Sequence, residues 1–114
     1  MTEHRLTGPN AIRLDDRDNV AVALRDVQKG EFIVLVTGIV DQLRAEGDIP
    51  YGHKVALEFI PHGGAILKYG ECMGVATEDI ISGQHVHVPN VRGLNVEERD
   101  NFQFVKAVKG YGNI

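Results

Sequence analysis

The chain has 114 residues, with 12 basic against 16 acidic side chains, a net charge of −4 and a single cysteine. That length suits one domain around one core, and an acidic balance without runs of like charge provides none of the basic surface that phosphate backbones require. Nucleic acid is therefore not an expected partner, and Cys72 has no second cysteine for an internal disulfide.

The opening Met1-Thr2-Glu3-His4-Arg5 lacks the apolar stretch of a secretory signal, so a cytoplasmic location is expected. Next, Asn19 to Gln28 is ambiguous. Val20, Ala23, Leu24 and Val27 match helical spacing, whereas Val20, Val22 and Leu24 also match alternation. A short helix is predicted, capped by Asp18 or Asn19 and ended by Gly30. The longest apolar stretch, near Ile33 to Val40, is interrupted by Thr37 and Gly38. It falls well below the roughly 20 residues needed to cross a bilayer, so no membrane association is expected.

Three short segments share one arrangement: Val27-Gln28-Lys29-Gly30, Ile60-Pro61-His62-Gly63 and Ile80-Ile81-Ser82-Gly83. Each reads as a turn feeding a strand, with glycine in the left-handed position and a β-branched or aromatic run after it. The runs are Phe32 to Thr37, Ala65 to Tyr69 and His85 to Val88. The glycines are unevenly spaced, which excludes a solenoid of equal units. Thr77-Glu78-Asp79 predicts a weaker helical turn before Gly83, and Asn95-Val96-Glu97-Glu98 predicts the cap of a short helix whose apolar side includes Phe102 and Val105. Many short strands, 13 glycines and little helix indicate a small, mostly-β domain with short helical turns.

The chemistry-bearing residues fall between Tyr51 and Asn90. His85 and His87, two apart on a predicted strand, leave the same face, while Val86 and Val88 are expected to point into the core. Such a pair suits a divalent metal or, when protonated, a carboxylate; the plain alternative is two solvated histidines. His53 follows the rigid turn Ile49-Pro50 and the permissive Gly52, with Lys54 beside it. An ammonium next to an imidazole suits anion recognition. Lys68-Tyr69-Gly70 ends a strand, where Tyr69 is expected to bury its ring and offer its hydroxyl at the edge. Cys72 has no basic neighbour except Lys68 and reads as a small apolar filler; His62 and His4 read as solvated. No Gly-rich phosphate loop, Gly-x-Ser-x-Gly elbow or His-Glu-x-x-His helix occurs, so the chain is poorly equipped as a complete nucleotide, serine or zinc enzyme.

Taken in order, Asp18-Asn19-Val20-Ala21-Val22-Ala23-Leu24, Gly52-His53-Lys54-Val55-Ala56-Leu57, Ile66-Leu67-Lys68-Tyr69-Gly70 with Gly74-Val75-Ala76, and Gly83-Gln84-His85-Val86-His87-Val88 resemble the SAF domain of the altronate and galactarate dehydratases. That domain also stands alone as the small subunit of two-chain relatives such as the sulfolactate sulfo-lyases. The resemblance implies a β-clip fold over residues 12–94, with an N-terminal extension at 1–11 and a C-terminal tail at 95–114. It implies a larger dehydratase-like catalytic partner and a sugar acid substrate losing water. It also implies a divalent metal, iron, manganese or magnesium, held mainly by that partner. His53 and Lys54 become the expected catalytic pair, with Lys68, Tyr69, His85, His87 and Asn90 on the substrate side and His85 and His87 as possible metal ligands. The family usually continues the last motif with His-Asn where this chain has Pro89-Asn90, which removes a potential ligand and a backbone donor together.

Three alternatives stand beside this reading. One is the small subunit of a sulfolactate sulfo-lyase. Another is a non-catalytic module that binds a sugar acid or a protein surface. The third is a metal enzyme acting alone through His53, His85, His87 and a carboxylate such as Glu71. Pairing of exposed strand edges makes a homodimer of the isolated chain a further expectation.

Overall fold

A computed structural model describes residues 8–36 and 38–100, with the side chains of 38–42 left aside. Nine strands are present among these residues. The first five are β1 (Ala11–Ile12), β2 (Val20–Ala23), β3 (Phe32–Leu35), β4 (Gly38–Arg44) and β5 (Lys54–Ala56). They are followed by β6 (Ala65–Lys68), β7 (Glu71–Ala76), β8 (His85–Val86) and β9 (Val91–Arg92). Six form one sheet in the order β4-β3-β1-β2-β5-β8, and three form another in the order β6-β7-β9. All pairings are antiparallel except β1 with β3. The mostly-β expectation holds.

The helix expected over Asn19 to Gln28 is instead strand β2. Its backbone is paired on both sides, to β1 through Ala11↔Ala23 and to β5 through Ala21↔Val55. Two ladders outweigh a local helical spacing that leaves Leu24 41% exposed. Asp18 and Asn19 are buried and cap no helix. The Asp18 carboxylate accepts hydrogen bonds from the Tyr69 and Gly70 amides, at 2.9 and 2.7 Å. The Asn19 side chain accepts from Leu67 N and donates to the Ala65 carbonyl. Together they fasten the β6–β7 hairpin to the larger sheet. The helical turn expected at Thr77-Glu78-Asp79 is also absent, and Asp79 instead accepts from the His62 amide across two loops.

The predicted glycine turns are present, with φ of 92° at Gly30, 86° at Gly63 and 90° at Gly83. Ile49-Pro50-Tyr51-Gly52 makes a fourth of the same kind, with Gly52 at 83°. The apolar residue three before each glycine is buried, and the four join in isolated antiparallel bridges, Val27 to Ile49 and Ile60 to Ile80. This is an internal repeat. The segment β2, hairpin β3–β4, β5 is followed by a second unit β5, hairpin β6–β7, β8 that shares its middle strand. Each unit has its own apolar cluster. Val27, Ile33, Ile49 and Val55 belong to the first, and Ile60, Ile66, Ile80 and Val86 to the second.

After β9 a helix begins at residue 96 as expected, with Asn95 Oδ1 accepting from Glu98 N at 2.8 Å and Glu98 accepting from Asn95 N at 3.1 Å. Phe102 and Val105 lie outside the described residues.

Candidate functional site

Strands β5 and β8 run antiparallel with Lys54 opposite Val86 and Val55 opposite His85. Because the strands are antiparallel, the entry of β5 lies beside the exit of β8. His53, at that entry, therefore meets His85 and His87. The His53 and His85 ring centroids are 5.0 Å apart, with His53 Nδ1 at 2.9 Å from His85 Nε2. The His85 and His87 rings stack at 4.3 Å with planes 13° apart, and His53 and His87 are 5.5 Å apart. One nitrogen from each of the three rings lies within 4.8 Å of the others. Gly52, His53, Lys54, Val86, His87 and Val88 line a shallow pocket over this cluster.

The local chain explains the placement. Gly52 reverses the backbone immediately before His53, in a conformation that a side-chain-bearing residue adopts only under strain. Beyond β8 the chain stays extended at His87 and then turns into a 3-10 helix at Val88–Asn90, with Pro89 inside the first turn where its missing amide donor is harmless. Asn90 is buried beneath the pair. It accepts from the His87 amide and donates to the His85 carbonyl, both at 2.8 Å. Both ends of its amide are thus committed to the backbone. Asn90, expected from the sequence on the substrate side, holds the two histidines side by side through these bonds. Val88, expected in the core, is 82% exposed because the 3-10 turn swings it out to the pocket rim.

Charge around the cluster is positive. Burial, followed by the fields of His87, His53 and Lys54, pushes the His85 imidazole below its ordinary value, so that it is neutral at pH 7. Burial and then the nearby Lys68 ammonium push Lys54 down as well. Lys68 reaches this neighbourhood from the end of β6, with its ammonium 5.3 Å from the centroid of the Tyr69 ring. Tyr69 itself sits at the tip of the β6–β7 hairpin with φ 61° and is 58% exposed, rather than burying its ring. Its amide bond to Asp18 stabilises that left-handed turn.

His53, Lys54, His85 and His87 therefore converge, Lys68 acts on Lys54 through its charge, and Tyr69 lies further out. Glu71 faces Lys68 across the hairpin and feels Arg17, and no carboxylate joins the histidine cluster among the described residues. His62 is exposed in its turn. Cys72 is half-buried, its thiol against the Gly74 carbonyl. Three imidazoles without oxygen ligands suit iron, zinc or another divalent transition ion; magnesium, which takes oxygen donors, does not fit this cluster. Among the described residues no helix is long and apolar enough to cross a membrane.

Sequence reasoning missed the structural role of Asn90, although a polar residue three after His87 has the spacing of a capping box. The 2.9 Å contact between His53 and His85 has no local signal, because it depends on the pairing of strands 32 residues apart.

The family model described as the altronate/galactarate dehydratase SAF domain matches residues 9–94. Altronate dehydratase of Bacillus subtilis (strain 168) is 42% identical over 81 residues, which is 71% of this chain and 16% of that protein. Altronate dehydratase of Escherichia coli (strain K12) is 39% identical over 93 residues, 82% of this chain and 18% of that protein. The (2R)-sulfolactate sulfo-lyase subunit alpha of Paracoccus pantotrophus is 43% identical over 51 residues, 45% of this chain but 76% of that subunit. The chain thus spans less than a fifth of either altronate dehydratase.

Proposed function

This chain belongs to the SAF-domain family of altronate and galactarate dehydratases, and on that premise we propose that it is the small substrate-handling module of a lyase that eliminates water from a sugar acid. The observation that carries the reading is the convergence of His53, His85 and His87 beside Lys54 and Lys68. Elimination next to a carboxylate requires a base for the α-proton, a means of holding the enediolate that forms, and an acid for the departing hydroxyl. Lys54, whose ammonium is pushed below its ordinary range by burial and then by the Lys68 charge, is fitted to exchange a proton with the substrate. Lys68 gives the substrate carboxylate a complementary charge. A divalent ion in such a lyase polarises the carboxylate and lowers the cost of enediolate formation.

The remaining machinery belongs to a larger dehydratase-like chain, since the altronate dehydratases devote most of their length to segments this chain does not match. The test is reconstitution with such a chain and an assay of altronate and galactarate dehydration. His53→Ala and Lys54→Ala are expected to lower kcat/KM about 10²-fold or more. Wild-type turnover by both variants would sink the assignment.

A second reading, the small subunit of a sulfolactate sulfo-lyase, is favoured by one observation: the Paracoccus subunit alpha is itself a short chain, three quarters of which aligns here. Release of sulfite from sulfolactate, with no turnover of sugar acids by the same reconstituted pair, would select it.

A further inference from the structure

We propose that His53, His85 and His87 form a three-imidazole site for a divalent transition-metal ion within this chain, with its open positions facing the pocket, where a 2-hydroxycarboxylate chelates the ion. The metal half stands on the geometry alone; the chelation half rests on the function proposed above.

Metal–nitrogen bonds of about 2.0–2.1 Å place ligand nitrogens of one ion roughly 3.0–3.4 Å apart. The His53 and His85 pair, at 2.9 Å, lies just inside that separation and has only to part slightly, and the third ring has a nitrogen within 4.8 Å of both. The required adjustment is a swing of the His87 ring, the outermost of the three. The backbone beneath it is fixed by Asn90, which spans His85 and His87 as an outer partner that orients the ligands. Three protein ligands with an open remainder is the arrangement of sites that handle substrate, whereas structural sites close their shell.

The charge balance identifies what fills the open positions. Three imidazoles neutralise none of the ion's charge, no carboxylate joins the cluster among the described residues, and Lys54 and Lys68 add to the positive field. That field favours an anion over water in the open positions. A hydroxyl and a carboxylate on adjacent carbons offer two oxygens to one ion, and Gly52 and Val88 at the rim leave the pocket open to such a ligand.

The test uses the chain without a polyhistidine tag, stripped by a chelator and titrated with Co²⁺ while visible absorption is followed. Uptake of one equivalent with ligand-field bands is expected. His53→Ala and His87→Gln should each weaken it about 100-fold or more, with unchanged thermal unfolding of the stripped variants showing that the fold survives. His62→Ala, which removes an exposed histidine from a comparable turn, should leave binding unchanged. No uptake, or uptake that survives His53→Ala and His87→Gln, overturns the site. Adding altronate to the loaded protein should shift the bands; bands that do not move overturn the chelation half alone. Failure of the lyase function is read separately, as absence of turnover with a larger chain, so the two outcomes remain distinguishable.

Discussion

His85 is the residue at which burial, charge and position meet. Its folded-state pKa lies below its ordinary value, so between that lowered value and about 6.5 the unfolded chain holds more protons than the native one. Stability contributed here is intact above pH 6.5, falls as the pH drops through that window, and levels off below the folded pKa. The stability of the metal-free wild type minus that of metal-free His85→Gln should therefore decline as the pH falls below about 6.5; urea unfolding at several pH values checks it, and parallel profiles would refute it. The pairing of His85 with His87 was legible in the sequence, because side chains two apart in an extended chain share a face. Burial of Val88 was not a safe extension of the same rule. Pro89 and Asn90 end the strand one residue too early, and a 3-10 turn has a different period.

Among the elements, the four glycine turns decide how the hairpins fold over the sheet. Gly30 and Gly83 share nearly the same positive φ, but a Cβ at Gly30 meets open space whereas one at Gly83 would collide with the Arg44 carbonyl oxygen. Gly30→Ala should thus cost only backbone strain, about 1–3 kcal/mol. Gly83→Ala should cost clearly more, since backbone at Arg44 has to move as well. Equal losses in chemical denaturation would show that the contact is unimportant. The turns were readable because glycine, an apolar residue three before it and a β-branched run after it form a local signal. Strand β2 was misread for the opposite reason. Its ambiguity between helix and strand is resolved by β1 and β5, and β5 lies some thirty residues away.

On the scale of the whole molecule, β5 is the shared strand of the two units. Val55 packs in one apolar cluster and Ala56 in the other, and the strand is paired to β2 on one edge and β8 on the other. The Val55 and Ala56 amides should therefore exchange with solvent only through global unfolding, more slowly than those of the β6–β7 hairpin. Hydrogen exchange followed by NMR checks this, and a hairpin that outlasts β5 would argue against the shared-strand architecture. The repeat itself was visible in outline. Val22-Ala23-Leu24 recurs as Val55-Ala56-Leu57, and the spacing of Ala45, Asp48, Ile49, Gly52 and Val55 recurs as Ala76, Asp79, Ile80, Gly83 and Val86. Unequal glycine intervals concealed it, because one interval measures the repeat and the other the span of one hairpin. The second hairpin is shorter than the first, with the difference taken up at the bulge of each pair. The candidate site lies where the units stop matching: His85 and His87 stand where the preceding unit has Lys54 and Ala56.

The sequence by itself determined the mostly-β class, the glycine turns, the capped helix start at Asn95 and the set of basic residues from which a site is drawn. All of these depend on neighbours within a few positions, where backbone preference and side-chain alternation act directly. Only the tertiary structure decided that β2 is a strand, that Asn90 supports the site from beneath, and that His53 touches His85. Those outcomes are set by pairing between distant segments, whose ladder bonds and shared burial outweigh any local preference.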